Sequence, residues 1–226
     1  MRSIYEQALG NRFNGLHPLL QKKFRLQSQT ERILKSKGVM HRIEGGKVFM
    51  KPLMSAFSKK HITFPERGRN IPFTMENVAF KDPYGRESVA WIRRFYFPHI
   101  TRCFDATMVL HSDKKTINDY VGVDQSWLTN ITLEVTECGG LRMLTKEQRI
   151  FIPFLNRFMS IPFLGKGVIE ERYDDQKDLF LIDVHVQQPW FGTIIRYQGE
   201  FTVESESISS SNIPSYMLPR RFHREE

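Results

Sequence analysis

The chain has 226 residues, 40% of them apolar and 26% charged, with 18 phenylalanines and a formal net charge of +8. That composition excludes a disordered chain and leaves room for a sizeable core in one large domain or two small ones. No apolar run approaches the roughly 18 residues of a membrane-spanning helix, and the first residues lack the apolar stretch of a secretory signal, so a cytoplasmic location is expected.

The charge is unevenly spread. Residues 1–60 carry 13 Lys and Arg against 3 acids, whereas residues 61–226 carry 20 against 22. Such a basic segment can face an anionic lipid or an acidic partner protein, and equally can be a solvated helical face. The lysines are scattered and no zinc-finger spacing or RNA-binding aromatic signature accompanies them, so specific nucleic-acid binding is not expected.

In chain order, Leu16, Leu19, Leu20 and Phe24 recur at helical spacing, with Pro18 in a first turn and Lys22, Lys23 and Arg25 read as off the stripe. A second short helix is predicted over Gln29 to Lys37, with Gly38 as its stop. Residues 1–37 therefore form a basic helical segment packed on a β domain. From Val39 the period becomes two. Val39 to Ile43 and Lys47 to Leu53 flank Glu44-Gly45-Gly46 as a hairpin, and residues 55–72 read as an irregular basic loop.

Phe73 to Phe80 and Ser88 to Phe97 form a hairpin through Asp82-Pro83-Tyr84-Gly85. Further strands are predicted at Cys103 to His111, Thr116 to Val121, Thr129 to Glu137 and Leu141 to Ile152. After an apolar connector bracketed by Pro153 and Pro162 come Val168 to Asp174, Leu179 to Gln187 and Gly192 to Val203. About ten strands with short turns and no alternating helices make residues 38–203 an antiparallel β meander, and twist curls so many strands into a barrel or a strongly curved sheet. The Ser- and Pro-rich residues 204–226 read as a mobile tail. Cys103 and Cys138 are the chain's two cysteines, and both are expected to be buried and reduced.

Familiar catalytic and cofactor motifs are missing, including the nucleophile elbow, the P-loop, the dinucleotide fingerprint and the zinc-protease helix. No cofactor or metal is expected, and catalytic residues cannot be named. The informative run is Val89 to Phe97, where alternation sets Arg93 on one face with Val89, Trp91, Phe95 and Phe97. An enclosed guanidinium stays charged and needs a carboxylate or an anionic ligand. Asp105, Glu170, Glu171 and Asp183 are its candidate partners. Asp183, His185 and His111 form a weaker candidate set for metal or acid/base work, with solvent-facing side chains as the simpler reading.

Further residues carry a resemblance. Ala8-Leu9-Gly10, Leu16-His17-Pro18 with Gln21, Trp91-x-Arg93-x-Phe95, Phe104-Asp105, Gly139-Gly140-Leu141, Ile161-Pro162, Glu170, Pro189-x-x-Gly192 and Arg196-Tyr197-x-Gly199 stand in an order that resembles the uncharacterised bacterial family named domain of unknown function 4166, over roughly residues 4–203. The resemblance implies no assigned activity and no catalytic residues. Some members of that family carry a preceding saccharopine-dehydrogenase-like domain, which implies a metabolic setting. Pro189, Gly192 and Gly199 have a plain structural explanation as strand-end and close-approach residues.

Three functions are expected from these features. The leading one is a β-barrel binding module for an apolar or amphipathic small molecule, with Trp91, Arg93, Phe95, Asp105, Glu170 and Tyr197 as ligand contacts. The second is a cofactor-free enzyme in which Glu170 or Asp105 works beside Arg93. The third is a peripheral docking protein that uses its basic first sixty residues.

Overall fold

The structure, a computed structural model, describes residues 2–160 and 165–225. Among them are eleven strands: β1 (Arg32–Glu44), β2 (Gly68–Lys81), β3 (Glu87–Phe97), β4 (Ile100–Leu110), β5 (Thr116–Val121), β6 (Trp127–Val135), β7 (Leu141–Ile152), β8 (Arg157–Ser160), β9 (Lys166–Asp174), β10 (Leu179–Gln188) and β11 (Gly192–Ser207). Their order is β6-β5-β4-β3-β2-β1-β11-β10-β9-β7-β8, and β6 also pairs with β7. Ten strands thus close an antiparallel barrel, with β8 as an extra strand outside the ring. Closure depends on β7 serving several neighbours: Leu141 to Leu144 pair with β9 while Arg149 to Ile152 pair with β8. The apolar connector expected between Pro153 and Pro162 contains β8; Pro162 itself lies outside the described residues.

Most strands sit where two-residue periodicity predicted them, but two expectations are corrected near the start of the barrel. The segment predicted as a helix over Gln29 to Lys37 is largely β1. Ile33 and Leu34 are consecutive and both buried, which resembles a helical stripe. In the barrel they face opposite walls, Leu34 joining the interior and Ile33 packing outside with Met217. The hairpin predicted around Gly45-Gly46 is also replaced. β1 pairs with β2 and β11 on its two sides, so Lys47 to Leu53 has no ladder to join and instead enters α3 (Lys51–Ser58), with Pro52 in its first turn and Met50 and Met54 buried one turn apart. Gly199 opposes Met40 across β1 and β11, where an added Cβ would lie 2.4 Å from the Val39 carbonyl oxygen; only glycine permits that approach.

Both ends of the barrel are covered. At one, α1 (Ile4–Leu9) begins with a reciprocal Ser3–Glu6 cap and buries Ile4, Tyr5, Ala8 and Leu9. α2 (Pro18–Phe24) adds Leu20 and Phe24, which are essentially inaccessible. At the opposite end, α3 and the segment after it bring Phe64 into the interior, with ring centroids 4.9 Å from Phe95 and 5.7 Å from Phe97. Arg67 fastens this segment by donating from Nε to the Gly45 carbonyl at 2.5 Å, from Nη1 to that of Phe64 at 2.9 Å and from Nη2 to that of Ile194 at 3.1 Å.

The C-terminal residues expected to be mobile are packed. Ile213, Met217, Leu218 and Phe222 cover an outer-wall cluster of Ile33, Val78, Phe80, Ala90 and Ile92. Arg86 donates to the His223 carbonyl at 2.7 Å, and Arg149 reaches Glu225 at 2.9 Å. Apolar side chains outside the ring need a cover, and this tail supplies it. Cys103 is half-buried, while Cys138 is exposed in the turn after β6; both are free thiols, which corrects the expectation that both are buried. No helix among the described residues is long and apolar enough to cross a membrane.

Candidate functional site

Alternation along the strands decides which side chains share the barrel interior. Trp91, Arg93 and Phe95 all point inward from β3, as predicted, and Tyr197 joins them from β11 with no accessible surface. The other two candidate contacts are elsewhere. Asp105 faces outward from β4 and binds the Nδ1 of His61. Glu170 faces outward from β9 and accepts from the Nε of Arg142 at 3.0 Å. Neither neighbours Arg93.

Their places in the interior are taken by Asp119 and Glu171. Arg93 donates from Nε to the Phe104 carbonyl at 3.0 Å, and its guanidinium lies 4.1 Å from the centre of the Phe104 ring and 5.9 Å from that of Trp91. Asp119 points inward from β5. Its residue as a whole is half-buried, but the carboxyl oxygen Oδ1 is enclosed and has no protein hydrogen-bond partner. Burial pushes this carboxyl up to about 7, against the opposing pull of Arg93. Burial also raises the Tyr197 phenol, with Arg93 again opposing. Trp91 Nε1 donates to the Tyr5 hydroxyl at 2.8 Å, which in turn meets Met108 Sδ at 3.3 Å.

The second interior carboxylate is bound from outside the barrel. Lys23 on α2 is buried, and its ammonium pairs with Glu171 within a cage of aromatic rings, the nearest being Phe201 at 4.9 Å and Phe24 and Trp91 at 5.1 Å. Desolvation pulls the Lys23 amine below its ordinary value, while Glu171 acts in the opposite sense. Reading Lys23 as a residue off the apolar stripe is therefore corrected. It lies four residues after Leu19 and three after Leu20, on the same helical face, and that spacing is the signal that would have found it.

Above this ion pair lies a cleft of about 480 Å³ between α2 and the adjoining ends of β1, β10 and β11. Leu26, Leu34, Phe180 and Val203 give it an apolar floor, and Lys23 stands at its base. Lys22, Arg25 and Arg32 line it with positive charge, Arg25 being held by Glu6 at 3.2 Å, and the acid in the lining, Asp178, accepts from the Tyr173 hydroxyl. A second concavity of about 510 Å³ lies on the outer wall and contains Glu170, Asp183, His185 and His41. Its polar groups already serve one another: Asp183 binds Arg196 at 3.1 Å and Gln198 at 2.7 Å, and His185 meets Thr193 at 3.2 Å. His111 sits in the turn after β4, beside Asp113, so the set of Asp183, His185 and His111 is not assembled. No cluster of three metal-binding side chains occurs among the described residues.

Comparison with known proteins places this geometry in a family. The model of the family described as a domain of unknown function, DUF4166, matches residues 16–201. The chain belongs to this family. It is also 31% identical over 206 residues to the uncharacterized protein YndH of Bacillus subtilis strain 168, an alignment covering 90% of this chain and 98% of that protein. The family match begins at Leu16 and ends at Phe201, so it includes α2 with Lys23 and every strand from β1 to β10. Within the family barrel, the sequence resemblance through Trp91-x-Arg93-x-Phe95 falls on inward-facing residues of β3, and in Arg196-Tyr197-x-Gly199 Tyr197 faces inward from β11 while Arg196 pairs with Asp183 on the outer wall.

Proposed function

We propose that this protein binds an amphipathic, anionic small molecule in the cleft between α2 and the barrel. The observation that carries the reading is the combination of about 480 Å³ of concave space with an apolar floor and a cationic rim, within the roughly 300–1,000 Å³ of small-molecule pockets. A hydrocarbon chain would displace water from Leu26, Leu34, Phe180 and Val203, and a carboxylate or phosphate head would meet Lys22 and Arg32. The barrel interior, where the sequence alone would put the ligand, is occupied by a continuous apolar cluster that includes Phe73, Phe95, Phe201 and Tyr197. Its buried polar groups support the cleft from behind: Glu171 fixes Lys23, and Lys23 fixes the position of α2.

Calorimetry on delipidated protein tests this with dodecanoate and dodecanol as probes. Dodecanoate should bind, dodecanol should bind about tenfold more weakly for lack of the charged contact, and Val203→Trp should abolish binding by filling the cleft without altering the circular dichroism. A panel of fatty acids and alkyl phosphates that produces neither heat nor a thermal shift would reject the proposal.

A further inference from the structure

The end of the barrel opposite α1 and α2 carries a different surface. Antiparallel pairing brings several connections to this end, among them residues 45–67, residues 153–156 and residues 189–191. Each of these three presents large apolar side chains at its tip. Val48, Phe49 and Leu53 project around the start of α3, Phe154 projects from the turn between β7 and β8, and Trp190 and Phe191 from the turn between β10 and β11. Phe154 is 85% exposed, Val48 77% and Trp190 63%. Two of these tips touch, the Phe49 and Phe191 rings lying 5.6 Å apart.

Most of the exposed charge at this end is positive, with Asp124 the acid beside Lys60. Lys47, Lys51, Lys59 and Lys60 are exposed between and beside the apolar tips. Other acids at the same end are already engaged: Glu44 by Arg42 at 2.5 Å, Glu66 by Arg102 at 2.5 Å and Glu147 by Arg149 at 3.3 Å. Apolar area of this kind needs a cover. Separate projecting tips do not form the groove that receives a peptide or helix. We infer that this end docks on an anionic lipid surface, with the aromatic and aliphatic tips entering the headgroup boundary while the lysines meet lipid phosphates. Aromatic rings are at home at that depth, and a shallow apolar insertion reinforced by several lysines is the two-part signal that stable peripheral binding requires. The inference does not depend on the cleft at the other end.

The test is flotation of the full chain with vesicles of phosphatidylcholine alone and of phosphatidylcholine mixed equally with phosphatidylglycerol, at low and high salt. The expected result is flotation with the anionic vesicles, weakened by salt, with a blue shift of tryptophan emission as the exposed Trp190 leaves water. Phe49→Ser combined with Phe154→Ser should weaken binding at least about tenfold, as should Lys47→Glu combined with Lys51→Glu. Arg2→Glu combined with Arg12→Glu, at the opposite end, should leave it unchanged. The inference is overturned if no flotation occurs at low salt, if the Arg2 and Arg12 substitutions abolish it instead, or if the Phe49 and Phe154 substitutions convert a sedimenting dimer to monomer, which would make a second copy the cover.

Discussion

The two ends of the barrel are both basic, yet they solve the same problem differently. At the helical end, apolar side chains turn inward and one lysine is drawn in with them, so the surface left outside is concave and Lys23 is held by Glu171. At the other end, the polypeptide is held by an arginine bonded to backbone carbonyls; Phe64 and Met54 turn inward, while Val48, Phe49 and Leu53 turn outward. Charge alone does not distinguish them. The difference lies in whether a cation is committed to an interior carboxylate or to the backbone of a loop, and therefore in which way the greasy residues beside it must point.

The sharpest way to break this comparison is to remove the carboxylate. Glu171→Leu leaves a buried ammonium without its partner and should cost about 3–5 kcal/mol in urea denaturation, most of it recovered when Lys23→Met is added. A loss below about 1 kcal/mol would mean that the plug does not rely on the pair.

Asp119 offers the next largest effect. Its carboxyl is raised to about 7 in the folded protein against roughly 3.9 in an unfolded chain. The folded state therefore holds the extra proton between those values, and stability should fall as pH rises through that window and level off above it. Asp119→Asn should flatten this dependence, a difference of up to about 4 kcal/mol between its two limits. Equal pH slopes in the parent and the variant would count against an enclosed Asp119.

The smallest expected change concerns the loop end. Arg67→Ala removes donors from the Gly45, Phe64 and Ile194 carbonyls and should cost about 2 kcal/mol. Amide exchange should rise over residues 45–50 and leave α1 and α2 protected; uniform acceleration at both ends would show that the two covers are not independent.

The candidate site shows where strand alternation is a sufficient guide. Placing Arg93 with Trp91 and Phe95 inside requires only that one unbroken strand contain them, and the same rule applied to Ile117-x-Asp119-x-Val121 selects the interior carboxylate. In β9 the rule lacks an anchor, because Val168 and Ile169 are adjacent and either could be the inward residue. Shifting the choice by one residue exchanges Glu170 for Glu171 and sends the wrong acid inside. Asp105 stands among the expected contacts although the alternation of its own strand turns it outward, since Phe104, Ala106 and Met108 occupy the inner face beside it.

The sequence by itself determined the antiparallel strands from β2 onward other than β8, most of their turns and the inward direction of β3, because these depend on local periodicity and turn chemistry. Tertiary structure alone decided that Arg32 to Lys37 are strand, that Lys47 to Leu53 do not form a hairpin, that Lys23 is buried and that the tail is packed. Each of these depends on what another part of the chain supplies: two ladders beside β1, a carboxylate across the barrel for Lys23, an uncovered outer wall for Met217 and Phe222. The free energy of burial belongs to the pair of surfaces, and only one of each pair is present in any local stretch of sequence.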